Sequence, residues 1–315
     1  MKHLFQRLHK KGLVLKNTKM IKGAHAGCIY RVTAESEYGR QYSFVYKEFA
    51  EGRENEIEIM EMASHYISPF SKMNDIWSDS PPAILMEDLG WPVKTTFSKE
   101  SLPEKELTVK RIVERLAELH TLDTSHIDKR FPIHRITTES LEWCSDQLTK
   151  LYSQMKWVDT QWIKDIKNAY ERLGLIDYIA ECPLVFTHGD PHLENIFYHG
   201  EQMWFIDWEW AAMSSPLRDF TIMLQDLYDP YLIDYADTYY TEQLRKNNFA
   251  LDMESYQQDF YHFYIDHTTM MIAWEVEKYF QGLHSEEEIQ KILLFKAGEI
   301  SRAAYNLMER NLKKD

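Results

Sequence analysis

Apolar and polar positions alternate through the first fifty residues. Leu13 to Ile21, Cys28 to Thr33 and Tyr42 to Phe49 are rich in β-branched and aromatic side chains, and Gly23, Gly27 and Gly39 punctuate them. This predicts a three-stranded antiparallel unit. From near Gly52 the period changes to that of a helix, with Glu56, Met60, Ala63 and Ile67 on one inward face. A strand is expected around Asp75 to Trp77. A second, buried strand within Pro81 to Leu89 ends abruptly at Glu87, Asp88 and Gly90, which reads as the edge of a domain. The expected division is therefore 1–88 and 89–315. Beyond it helical spacing dominates, in Leu107 to Thr121, Leu141 to Met155, Gln161 to Ile176, Asp219 to Asp226, Tyr235 to Arg245, Met253 to Phe280 and Glu286 to Asn311. The segment Met253 to Phe280 is long enough to bend or divide.

The helical pattern is interrupted at Val185 to Phe197 and Trp204 to Glu209. Apolar runs there read as short buried strands, and between them His188, Asp190, His192, Glu194 and Asn195 crowd into one turn. Polar groups are costly to bury, so such crowding marks a site.

Composition narrows the class. At 315 residues, 44% hydrophobic and 14% aromatic, the chain can bury one large core or two moderate ones. Lys2, Arg7, Lys10, Lys11 and Lys16 interrupt the N-terminal segment, so no signal peptide is expected there, and no apolar run is long enough for a bilayer. The expectation is a cytoplasmic protein without membrane attachment. Cys28, Cys144 and Cys182 are too far apart for a CxxC site and odd in number, and are expected to be small, mostly buried hydrophobes. The net charge of -14 is uneven: ten Lys/Arg against three Asp/Glu give +7 over residues 1–50 and leave -21 for the rest. That asymmetry suits an anionic ligand on one side and a cationic one on the other, although solvated charged faces produce it equally well. The acidic bulk disfavours nucleic acid as a partner.

Several features share one chemistry. The turn from Lys22 to Gly27 has small residues where backbone amides could meet an anion, though alone two glycines in a hairpin are ordinary turn residues. Lys47, set between apolar neighbours, needs a partner if buried, which Glu56 or, failing that, Glu54 could supply. Asp190 is followed five residues later by Asn195, and Asp207 follows an apolar strand. Phosphoryl transfer in a kinase-like site uses these parts: a loop over the phosphates, a Lys on them, an Asp for the acceptor hydroxyl, and Asn plus Asp for magnesium. A metal hydrolase built on His188-x-Asp190-x-His192 would leave Lys47, Asn195 and Asp207 without roles. A pseudokinase or structural interaction protein that keeps the fold without turnover is the remaining alternative.

The motif His188-Gly189-Asp190-x-x-x-x-Asn195 followed by Ile206-Asp207-Trp208-Glu209 resembles the aminoglycoside phosphotransferase and choline kinase superfamily. The resemblance spans residues 13–220 and includes Leu116-Ala117-Glu118-Leu119-His120. It implies an α+β, bilobal protein-kinase-like fold, with a small antiparallel β lobe carrying one main helix and a larger, mostly helical lobe. It further implies transfer of the γ-phosphate of ATP or GTP to a small-molecule hydroxyl by a monomer or homodimer. On this resemblance Asp190 is the catalytic carboxylate, Asn195 and Asp207 bind Mg2+, and Lys47 contacts the α/β-phosphates, held by Glu56. Gly23 and Gly27 cover the phosphates, and the backbone of Met86, Glu87 and Asp88, at the hinge, meets the base. His188 and His192 become braces. Pro191 and the sparse glycines of the turn depart from the family pattern. Glu209, Asp226, Asp229, Tyr231, Trp274 and Glu275 are expected to meet the acceptor, since carboxylates and rings suit a cation such as an aminoglycoside or amino-alcohol.

Overall fold

Strand-forming alternation carries through to the sheet. The computed structural model describes residues 2–21 and 27–314, with side chains to residue 312. The chain opens with α1 (Lys2–Lys10), followed by β1 (Leu13–Ile21), β2 (Cys28–Ser36), β3 (Gln41–Glu48), α2 (Asn55–Ile67), β4 (Met73–Trp77) and β5 (Ala83–Glu87). The expected three strands belong to a five-stranded antiparallel sheet in the order β1-β2-β3-β5-β4. Period two sorts its faces. Val32, Ala34, Phe44, Tyr46, Ala83 and Leu85 form one core cluster with Leu4 and Leu8 of α1. Lys47 lies on the opposite face, opposite Ile29 of β2 and Ile84 of β5.

The helix α1 was not expected from the pattern. It is anchored by the buried guanidinium of Arg7, which donates to Tyr46 Oη at 2.7 Å, Asp79 Oδ1 at 2.9 Å and the Pro81 carbonyl at 2.8 Å, and lies over the Trp77 ring. In α2, Glu56, Met60, Ala63 and Ile67 are all buried, the face that the spacing picked out.

The chain divides into two compact units, each made of several segments. The first comprises residues 1–101, 123–131 and 188–211. Besides the sheet it holds α3 (Lys94–Phe97), and 188–211 is fixed to it by Val93 N–H to Ile196 O, Lys94 N–H to Leu193 O and Phe205 N–H to Phe70 O.

The second unit comprises residues 102–122, 132–187 and 212–315. In chain order its helices are α4 (Leu102–His120), α5 (Glu139–Tyr152) and α6 (Thr160–Arg172). After β6 (Val185–Thr187) come β7 (Ile196–His199) and β8 (Gln202–Phe205), a hairpin of the first unit. The second unit resumes with β9 (Ala212–Ser214), paired with β6, and continues through α7 (Pro216–Leu224), α8 (Pro230–Lys246), α9 (Met253–Phe280) and α10 (Glu286–Lys314). Several helices start earlier than expected, α4 by five residues. The helix α7 starts three residues earlier than expected because Ser215 caps it and Pro216 occupies its first turn, and α8 starts five earlier because Asp229 and Pro230 do the same. The long segment Met253–Phe280 is one helix of 28 residues, α9. His120, the last residue of α4, is buried with both ring nitrogens engaged, its Nε2 3.0 Å from Asp219 Oδ2 and its Nδ1 2.5 Å from Tyr240 Oη. No helix among the described residues is long and apolar enough to cross a membrane.

Candidate active site

The site lies within the first unit. Its centre is Lys47, whose position on β3 directs it away from the α1 core, and whose Nζ is 2.6 Å from Glu56 Oε2 and 2.8 Å from Asp207 Oδ1. Glu56 is completely buried, and its other oxygen accepts the backbone N–H of Trp208 at 3.3 Å. Burial alone would lower the lysine pKa, but Glu56 and Asp207 outweigh it, so Lys47 is held charged with its pKa above the ordinary value. Glu56 is pushed up to about 7, mainly by burial and against the pull of Lys47. Glu54, the alternative partner, lies just before α2, and the lysine bond goes to Glu56.

The polar turn after β6 forms the second part. His188 is fully buried, with its ring 4.4 Å from Trp208 and 5.6 Å from Phe205. Its Nδ1 accepts the Asp190 N–H at 3.1 Å, which leaves the proton on Nε2 to be donated to Ile206 O at 2.9 Å. The imidazole therefore ties the Asp190 turn to the segment that carries Asp207. Both nitrogens are engaged, so His188 is no metal ligand here and the hydrolase alternative loses its first member. Asn195 Nδ2 donates to Asp190 O at 3.0 Å and to Asp190 Oδ2 at 3.1 Å. His192 Nδ1 accepts from Glu194 N–H, and its Nε2 lies 3.3 Å from the same Asp190 Oδ2. Asp190 Oδ1 has no hydrogen-bond partner among the described residues.

Backbone geometry at this point is specific. Gly189 has φ +91°, and a Cβ there would lie 2.1 Å from the carbonyl oxygen of Trp210. The glycine thus permits the Asp190 turn to lie directly on the loop containing Asp207 and Glu209. Asp207 itself has φ +66°, a left-handed conformation uncommon outside glycine and often found where function requires it. Glu209 has its pKa raised, first by burial and then by the negative charges of Asp207 and Asp190. Glu56 and Asp207 hold Lys47, and Glu209 feels the charges of Asp207 and Asp190 as well as that of the lysine, an arrangement suited to a further cation.

The remaining expected residues are distributed as follows. Gly23 lies outside the described residues. Gly27 is packed so tightly that a Cβ would approach Glu48 O and Ala50 N to 2.9 Å, setting the start of β2 flat on the end of β3. Met86 and Glu87 end β5, and Asp88 follows. The N–H groups of Glu87 and Asp88 donate to Lys72 O at 2.8 Å and Ser43 O at 3.0 Å.

In the second unit, Asp229 caps α8 through Tyr231 N–H, and Tyr231 Oη donates to Glu106 at 2.5 Å. Trp274 packs on Trp143 with ring centroids 5.6 Å apart. Glu275 is buried between Lys278 at 3.1 Å and His284 at 2.6 Å. Asp226 is buried as well. Two neighbours of these residues carried no readable sequence signal: the carbonyl of Trp210, against which only a glycine fits at 189, and Arg31 of β2, which pairs with Asp88 at 2.8 Å and donates to Gly90 O at 3.0 Å.

Comparison with known proteins identifies the fold and the family. The fold is shared with the choline kinase of Streptococcus pneumoniae at 15% identity and TM-score 0.58, covering 98% of each chain. A spectinomycin phosphotransferase solved in complex with ADP and spectinomycin aligns at 14% identity and TM-score 0.60, again over 98% of each chain. An amicoumacin kinase, in complex with AMP-PNP and Ca2+, aligns at 14% identity and TM-score 0.60 over 94% of this chain and 93% of its own. At such identities the likeness shows a common α+β, kinase-like fold. No curated protein matches the sequence. The phosphotransferase enzyme family matches residues 50–255, which include Glu56 and the whole stretch from His188 to Glu209, and the chain belongs to that family.

Proposed function

We propose that this phosphotransferase moves the γ-phosphate of ATP to a hydroxyl of a small cationic acceptor in the cytoplasm. The observation that carries the reading is the bridge of Lys47 between Glu56 and Asp207, beside Asp190 hydrogen-bonded to Asn195. Each group then has one task. Lys47, kept charged by its two carboxylates, binds the α/β-phosphates, and Glu56 fixes its ammonium where Asp207 can reach it. Asp190 Oδ2 is held by Asn195 and faces His192, so Oδ1 is left to accept the hydrogen of the acceptor hydroxyl. As that oxygen bonds to the γ-phosphorus and the bond to the β-phosphate oxygen breaks, ADP leaves and Asp190 takes the proton.

The donor set fits magnesium. Asp207 offers a carboxylate, and Asn195, its amide nitrogen turned to Asp190, offers its amide oxygen, both hard ligands suited to that ion. When bound, Mg2+ neutralises phosphate charge. The carboxylates of Asp207, Glu209 and Asp190, with Glu209 raised first by burial and then by the other two, supply the negative field that such an ion would relieve.

Residues 1–88 are assigned to the nucleotide and 89–315 to catalysis and the acceptor. Among the hinge groups, Glu87 and Asp88 have their N–H groups engaged by the protein, so the base-reading donor moves one residue on, to Leu89. Acceptor recognition is assigned to Glu209 and to Asp226, Asp229, Tyr231, Trp274 and Glu275, whose charges and rings suit an aminoglycoside or amino-alcohol.

A thermal-shift panel tests the reading: ATP and GTP, each with and without Mg2+, crossed with amines, amino-alcohols and aminoglycosides. A magnesium-dependent rise with nucleotide is expected. No response to any nucleotide would overturn it.

A further inference from the structure

Hydrogen-bond accounting around the end of β5 isolates one amide. Glu87 N–H is engaged by Lys72 O, Asp88 N–H by Ser43 O, and Gly90 N–H by Asp88 Oδ1 at 3.1 Å. Leu89 N–H lies between them and has no partner among the described residues. The Asp88 carboxylate that holds this turn is itself held: its Oδ2 accepts from Ser43 Oγ at 2.9 Å and pairs with Arg31 Nε at 2.8 Å. Arg31 also donates through Nη2 to Gly90 O at 3.0 Å and covers the Trp91 ring at 5.4 Å. Since Arg31 pairs across the sheet with Val45, two residues from Lys47, it reaches from the Lys47 face to both sides of Leu89. One guanidinium thus ties down the residue before the isolated amide and the residue after it.

We propose that Arg31 is a positioning residue for purine selection, clasping Asp88 and Gly90 so that Leu89 N–H stands at a fixed register and favours ATP over GTP. This rests on the kinase reading given above. Adenine presents the bare acceptor N1 on its pairing edge, whereas guanine presents N1–H there, so a fixed N–H completes a bond with the first and opposes a donor on the second. Reading guanine would require the hinge to slide until the amide met O6. A hinge clasped on both sides resists that movement, and a mismatched buried donor is penalised more than a missing contact. Loosening the clasp should weaken ATP and remove the obstacle to GTP, which a general loss of stability would not do.

The test is calorimetric binding of Mg-ATP and Mg-GTP to the full chain and its variants, with no acceptor needed. The wild type is expected to prefer ATP by at least about tenfold, the discrimination of one well-placed hydrogen bond against a mismatch. Arg31→Ala should weaken ATP by about tenfold and bring the ATP:GTP ratio to within about threefold of unity. Arg31→Lys, which keeps charge beside Asp88 without the second N–H for Gly90 O, should give an intermediate ratio, and Ser43→Ala supplies a second way to loosen Asp88 if Arg31→Ala fails to fold. A ratio unchanged in the variants, or a wild type that binds GTP as well as ATP, overturns the clasp while leaving the kinase reading intact. A wild type that binds neither nucleotide overturns both.

Discussion

Gly189→Ala examines the contact that joins the Asp190 turn to the Asp207 loop. Two costs can be worked from the structure. At φ +91° an alanine is strained, which typically costs about 1–3 kcal/mol. Its Cβ would also lie 2.1 Å from Trp210 O, 2.5 Å from Trp210 C and 2.8 Å from Trp210 Cβ, all backbone or backbone-proximal atoms. The closest approach is about 1 Å or more short of an ordinary contact, so the loop must move by a comparable distance. The Ala211 N–H to Trp208 O bond, at 3.0 Å, closes that loop and would move with it, carrying Asp207 and Glu209 away from Asp190. A natural control is Gly200→Ala: φ there is +58°, but nothing lies within 4 Å of the added Cβ, so only the conformational cost applies. By thermal melting Gly189→Ala should lose about 2–4 kcal/mol and Gly200→Ala about 1 kcal/mol, and Mg-ATP affinity should fall at least about tenfold in the first alone. Equal destabilisation of the two variants, with nucleotide binding unaffected, would refute the wedge.

Other consequences follow from groups away from the chemistry. Arg7→Ala should destabilise the chain by about 2–4 kcal/mol in chemical denaturation, because it deprives Tyr46 Oη and two backbone or carboxylate acceptors of a buried donor and uncovers Trp77; a loss below about 0.5 kcal/mol would show that α1 is not anchored through it. Asp266 is buried, and burial raises its pKa from 3.8 to about 6 against the hydrogen bond from Tyr170. The fold therefore binds a proton that the unfolded chain has released, so up to about 3 kcal/mol of stability present below pH 4 is lost as pH rises through 6. Asp266→Asn lacks this loss, and its melting temperature relative to wild type should climb between pH 4 and pH 7; a constant difference would contradict the assignment.

How far these features were legible in the sequence depends on the range of the interactions behind them. Strands β1 to β3 and the buried face of α2 rest on local periodicity, and Glu56 was readable because it falls in register with Met60, Ala63 and Ile67. The spacing of Asp190, Asn195 and Asp207 was readable for a similar reason, since those residues flank the two ends of one short hairpin, β7–β8. By contrast, α1 sends only Leu4 and Leu8 into the core, Phe5 being exposed, and its key anchor is a charged residue. Arg7 is buried because Tyr46, Asp79 and Pro81, 39 to 74 positions away, complete its hydrogen bonds, which no local pattern contains. The early starts of α7 and α8 were readable in principle from Ser215-Pro216 and Asp229-Pro230, but hydrophobic spacing outweighed the caps. The engagement of the Glu87 and Asp88 amides and the wedge of Gly189 against Trp210 are contacts between loops, visible only once the backbone is placed.

Phosphoryl transfer itself is the most direct measurement of the central claim. Wild type and Asp190→Asn should be incubated with Mg-ATP and a panel of choline, ethanolamine and aminoglycosides, with ADP release and phosphorylated acceptor followed together and Mg-ATP affinity measured in parallel. The account predicts that wild type phosphorylates at least one acceptor, while Asp190→Asn binds Mg-ATP within about threefold of wild type and loses transfer by at least about a hundredfold, as expected when a general base is removed. Equal transfer by the two proteins would contradict it.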